Sequence, residues 1–226
     1  VTVTSLLPLA MLGGIVGLDV VSFPQAMFSR PIVAATLAGA LAGDPARGLL
    51  AGVILEMLAM ELLPVGASRY PEWGSASVVG GAIAAAFPWS SGELVLGILA
   101  ALITAWAGGW SMHALRRLNG AWSVRARERL DAGETRLVTT LQLRGLASDF
   151  ARAALLTGGA LAVAAPAVSK LATLCVPTAG LALGTLTALG AAVVASAVWR
   201  LAPPSPRVRL LALAALAAGT TLAVLP

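Results

Sequence analysis

Residues 94–115 read LVLGILAALITAWAGGWSMHAL, 22 residues without a single Asp, Glu, Lys or Arg. As a helix this stretch is long enough to cross a bilayer, whose hydrocarbon core takes about 20 residues. The rest of the chain follows the same solvent preference. Hydrophobic residues make up 58% and charged residues 11% of the 226 positions, and the mean hydropathy is +0.90. A water-soluble domain carries about a quarter charged residues, so this chain has too few polar side chains to cover a water-facing surface. It reads as an all-α, polytopic membrane protein with room for roughly six or seven crossing or half-crossing segments. A β-barrel would need short strands alternating apolar and polar residues, whereas these runs are continuously apolar and rich in Ala, Leu and Gly.

Charge sets the orientation. The net charge is +5, and eight of the 15 basic residues (Arg116, Arg117, Arg125, Arg127, Arg129, Arg136, Arg144 and Arg152) fall between 116 and 152. Clustered arginines beside membrane segments mark a cytoplasmic loop, which explains the basicity without any nucleic-acid partner. Two descriptions of 116–152 stand side by side: short interfacial helices on an anionic leaflet, or a solvated connection. Arg200, Arg207 and Arg209 would share that side. The expected organisation is one transmembrane domain over 1–226, with membrane halves at 1–115 and 153–226 around the basic segment. Residues 1–21 lack a basic start, so no cleavable signal is expected there. With one cysteine and one histidine, an internal disulfide is impossible and a Cys/His metal site is excluded in practice; no cofactor is expected.

The first half is interrupted. Apolar runs at 6–21, 32–43, 48–63 and 75–89 are separated by Ser22-Phe23-Pro24-Gln25, Gly43-Asp44-Pro45 and Pro64-Val65-Gly66. Pro31 and Pro45 suit first helical turns, and Asp44 suits a cap. Short segments broken by Gly and Pro are what transporters use to build binding sites at membrane depth.

Ionisable groups inside membrane segments are functional candidates by default. Glu56, apolar on every side, reads as a substrate or cavity carboxylate, the alternative being a structural hydrogen bond or an ion pair with Arg30 or Arg69. Glu61 lies five positions on, about 140° around a helix, and reads as structural. Asp19 and Gln25 are expected to line a cavity, because irregular polar backbone at this depth needs water or protein around it. Arg69 could clamp an anion or mark the interface, and Asp44 and Arg30 are expected in structural or ion-pair roles. His113 beside Arg116 reads as interfacial. Cys175, with no basic neighbour, reads as a buried structural thiol. Asp44-Pro45-Ala46-Arg47 lacks the repeated aspartates of an intramembrane phospholipid-synthesising transferase.

The run Arg30-Pro31-Ile32-Val33-Ala34-Ala35-Thr36-Leu37, then Gly43-Asp44, Leu55-Glu56-Met57-Leu58-Ala59 and Val65-Gly66-Ala67, resembles the IIC membrane subunit of the mannose/fructose/sorbose family of the bacterial phosphotransferase system. The likeness covers about residues 17–80. It implies a permease subunit of the bacterial cytoplasmic membrane that binds and translocates a hexose-type sugar. It also implies a IID membrane partner, soluble IIA and IIB subunits that carry the phosphoryl group, an oligomeric assembly in lipid, and an elevator-type fold with broken helices. The chain would not be an enzyme on its own. By position, Glu56 matches the family's Leu-Glu carboxylate and Ser68 follows its Gly-Ala break, so Glu56, Gln25, Asp19, Ser68 and Arg69 are the expected sugar contacts. Mannose-type members often carry an acidic pair before Arg-Pro, where this chain has Phe23-Pro24-Gln25. The competing readings are a permease that needs no phosphoryl donor and a non-transporting membrane scaffold.

Overall fold

A computed structural model describes residues 3–59, 69–87 and 91–174, with short pieces between 193 and 218. Among the described residues the chain is helical throughout, with no strands: α1 Val3–Asp19, α2 Pro31–Ala42, α3 Pro45–Ala59, α4 Trp73–Ala86, α5 Ser91–Arg125, α6 Arg127–Asp131 and α7 Thr135–Leu174. The punctuation read from the sequence operates as expected. Pro31 opens α2, which ends on Gly43 in the left-handed region at φ 103°. Asp44 then caps α3, its Oδ1 accepting the Arg47 amide at 3.1 Å. Glu61, Ser68, Cys175 and the Pro177 break lie outside the described residues.

Helix length sorts the elements. α2, α3 and α4 have 12, 15 and 14 residues, about 18–23 Å of helix, short of a hydrocarbon core about 30 Å thick. α5 and α7 have 35 and 40 residues, about 50–60 Å, and overrun it. The basic stretch is therefore not a separate loop. α5 continues ten residues past Leu115, and α7 starts at Thr135 and runs unbroken into the next apolar segment. Between them α6 and its turn form the tip. There Arg129 Nε and Nη2 donate to Glu134 at 2.8 and 2.6 Å, and these bonds hold the exposed Glu134 carboxyl below the usual carboxylate range.

The short helices stay folded because α4 is the centre of the bundle. Every residue from Gly74 to Ala85 is buried, and α1, α2, α3, α5 and α7 all pack on it. One side of the core joins Leu9 and Val16 of α1, Ala34 and Ala38 of α2, Val78, Val79, Ala82 and Ile83 of α4, and Leu161 of α7. The other joins Ala51 and Leu55 of α3, Ala76 and Ala84 of α4, and Ile98, Ala101 and Ala105 of α5. α1 runs antiparallel to α7, with Gly17 against Ala153 and Gly13 against Thr157. The outward faces of α1 (Leu7, Met11, Ile15) and α5 (Leu99, Ile103, Trp106, Trp110) are apolar and exposed, as lipid-facing surfaces must be.

With so little apolar contrast between helix faces, close approach through small residues carries the packing. A Cβ on Gly81 would stand 2.3 Å from the Ala35 carbonyl oxygen, which is backbone and cannot turn aside. Gly81→Ala should lower stability by about 1–3 kcal/mol through overpacking. Gly120→Ala, with nothing within 4 Å of the new methyl, should raise it by up to about 1 kcal/mol through helix propensity. Thermal unfolding of the two solubilised variants checks the opposite signs.

Candidate functional site

The sequence candidates separate into three settings. Glu56, near the end of α3, forms an ion pair with Arg30 at the start of α2. Its second oxygen accepts the Ile32 amide at 3.2 Å, an otherwise unpaired donor of the first turn of α2. The Glu56 side chain is 14% exposed and that of Arg30 is 49% exposed. The carboxylate is thus covered while its cation reaches outward. The pair is the alternative that the sequence left open for Glu56.

Asp19, at the end of α1, is buried, and its two oxygens accept the amides of Ala26 at 2.6 Å and Ser29 at 2.8 Å. Both bonds staple the connection to α2. In that connection Gln25 and Met27 take left-handed backbone at φ 59° and 66°, which costs an L-residue roughly 1–2 kcal/mol; charge-assisted bonds to Asp19 offset it. Gln25 is exposed and donates to the Val21 carbonyl at 3.2 Å. Arg69 forms the third setting: its guanidinium lies 3.7 Å over the ring of Trp110, a cation–π contact on the outer face of α5.

The structure adds a buried polar layer that the sequence did not single out. Tyr70-Pro71-Glu72 crosses α5 at Gly108-Gly109, where a Cβ would meet Glu72 Cβ at 2.6 Å or the Tyr70 carbonyl oxygen at 2.5 Å. The Glu72 amide donates to the Ala105 carbonyl at 2.9 Å. Fully buried, Glu72 caps α4 by accepting the Ser75 amide at 3.0 Å. Its Oε2 accepts no hydrogen bond among the described residues and stands 3.8 Å from Arg152 Nη1. Arg152 Nε donates to Asp149 at 3.0 Å, and its Nη1 donates to the Ser111 hydroxyl at 3.1 Å. Asp149 also accepts from the Ser22 hydroxyl at 2.6 Å, and Arg116 donates to the Tyr70 hydroxyl at 2.5 Å. One network therefore ties α4, α5, α7 and the end of α1 together.

Arg152 corrects its assignment to the basic loop: its side chain is 9% exposed and faces the core. A signal was present. Asp149 and Arg152 stand three apart at the start of a long apolar run, a spacing that puts both on one helix face. Glu72 stands directly before the first turn of α4, where a carboxylate can cap.

Beside this layer, at the basic end of the bundle, α5, α7 and the residues after α1 enclose a cleft of about 310 Å³. Ser22, Arg116, Asn119, Trp122, Gln142 and Asp149 supply its polar and aromatic lining. Arg144 lies 3.8 Å over the Trp122 ring. Among the described residues no group of three or more His, Cys, Asp or Glu side chains could hold a metal ion.

Comparison with known proteins gives one family. The model described as the sorbose-specific IIC component of the phosphotransferase system matches residues 3–202. Mannose-specific EIIC components of that system from Escherichia coli K12 and Shigella flexneri are each 34% identical over 89 residues, covering 34% of this chain and 34% of theirs. The match thus spans about a third of the length of these curated relatives. No solved structure matches significantly.

Proposed function

The chain belongs to the sorbose-type IIC component family of the phosphotransferase system, a membrane-embedded family of transport subunits, and on that premise we propose that it translocates a hexose-type sugar for phosphorylation by a IIB partner. The family match over residues 3–202 carries this reading. In it the chain sits in the bacterial cytoplasmic membrane with the α5–α7 tip inside, where basic segments are retained. It works beside a IID membrane subunit in an oligomer, and IIA and IIB hand on the phosphoryl group. It performs no chemistry itself and moves the sugar by elevator-type motion of a core against a scaffold.

Glu56 is the proposed central sugar contact. Carboxylates accept from hydroxyls strongly, and a hydroxyl donating to Glu56 can displace Arg30, whose half-exposed head turns readily to solvent. Gln25, Asp19, Ser68 and Arg69 are proposed as further contacts, which requires Arg69 to leave the ring of Trp110 and the three settings to come together around the sugar. Asp19 also serves the site through the connection it staples.

Co-purification with a candidate IID subunit tests the assembly. The pair, reconstituted with IIA and IIB, should take up hexose only with phosphoenolpyruvate and deliver it as the phosphate ester. Uptake of unmodified solute by this chain alone in proteoliposomes would sink the reading.

A further inference from the structure

We propose that the cleft at the basic end is a second binding site, separate from Glu56, for an uncharged polyhydroxyl solute of hexose size. At about 310 Å³ it lies at the small end of the range of ligand pockets. Its lining offers both halves of the hydrogen bonds that a sugar hydroxyl makes, since each hydroxyl donates and accepts. Asp149 is an acceptor, Arg116 a donor, and the Asn119 and Gln142 amides carry both functions.

Two observations narrow the ligand. Asn119 Oδ1 is buried and has no hydrogen-bond partner among the described residues; a buried acceptor left unmade is costly, and a turn of this amide toward the cleft would let a ligand hydroxyl satisfy it. The charged pair in the lining is balanced. Arg116 and Asp149 are the charged side chains of the described lining, and each is already engaged, Arg116 by Tyr70 and Asp149 by Arg152 and Ser22. The lining thus carries one charge of each sign, both already bonded, with Arg144 turned onto the ring of Trp122, and its paired donors and acceptors match a neutral polyol better than a dianion. Trp122, held on one face by Arg144, adds a rigid aromatic wall. The cleft lies on the side where soluble phosphoryl donors would work, which makes it a holding site for sugar that has crossed but is not yet phosphorylated. The binding claim itself stands without the transport reading.

A thiol placed in the wall reads occupancy directly. Gly145 lines the cleft, and a Cβ there would meet only Asn119 Nδ2, at 3.8 Å. In a Cys175→Ser background, Gly145→Cys should react with a maleimide several-fold more slowly when millimolar hexose is present. Ser123→Cys, also in the lining, is the second reporter should the first fail to fold. In the detergent-solubilised protein, where hexose reaches the cleft without being transported, adding Asn119→Leu should abolish the protection, and adding Glu56→Gln should leave it. Three results overturn the proposal: no protection by any hexose tested, protection only by a hexose phosphate or by phosphatidylglycerol vesicles, or protection lost with Glu56→Gln, which would place the sugar elsewhere. Failure of the transport reading looks different, as absent phosphoenolpyruvate-driven uptake with protection intact.

Discussion

Replacing Arg152 with methionine should destabilise the solubilised protein by about 3–5 kcal/mol, the usual cost of leaving a buried charge without its partner. Arg152 is the cation between two buried carboxylates: Glu72 is fully buried and Asp149 is 2% exposed. The Arg152 guanidinium hydrogen-bonds Asp149 and Ser111 and approaches Glu72 at 3.8 Å. Methionine keeps much of the side-chain volume, so the loss reports charge and hydrogen bonding rather than a cavity. Adding Glu72→Gln and Asp149→Asn should recover most of the stability. The cap on α4 survives the first of these, since the amide oxygen of a glutamine can accept the Ser75 amide that Glu72 now accepts. Thermal unfolding of the single and triple variants decides it. An equal loss in both would mean that packing, not charge, is what Arg152 contributes.

Glu56→Gln should abolish sugar uptake while leaving the protein inserted and folded. The two consequences separate because of how the residue is held. An amide keeps an oxygen for the Ile32 amide bond, and Arg30, with half its side chain exposed, stays hydrated without its partner. The neutral amide leaves no buried charge without a partner, the event that makes a broken pair costly, so the thermal midpoint should hardly move. What disappears is the charged acceptor for a sugar hydroxyl. A charge-reversed pair, Arg30→Glu with Glu56→Arg, tests the competing role. Restored uptake in that double variant would show that the pairing matters and that the carboxylate at 56 is not a sugar contact. Wild-type uptake by Glu56→Gln would remove it from the site altogether.

Much of the architecture follows from local chemistry. Proline lacks an amide hydrogen and has its φ preset, so Pro31 and Pro45 mark the starts of α2 and α3 wherever the helices pack. The Gly43-Asp44 pair ends one helix and caps the next through bonds within a few residues. Apolar content settles the solvent, because it is a sum over many residues that no single contact can reverse. The family likeness was legible for the same reason: its motifs are these local signals in a fixed order.

Which face of each helix carries chemistry was a different matter. Along α5 and α7 apolar residues run nearly all round, so the sequence pattern does not point to an inward side. That left Arg152 to be counted with its basic neighbours, though it turns inward, and left Tyr70 and Glu72 as connecting residues. Length of helix was likewise hidden where arginines interrupt the hydropathy, so α5 and α7 extend through a stretch that composition alone describes as short interfacial helices or a solvated connection. Residue order and composition were enough to specify a helical membrane protein of broken segments, its punctuation, its basic side and Glu56 as an isolated intramembrane carboxylate. That Glu56 meets Arg30, that Asp19 staples a connection, and that Glu72, Asp149 and Arg152 share one buried layer emerged with the folded bundle. Those pairings join residues far apart in the chain, and only their packing fixes which charges face each other away from water.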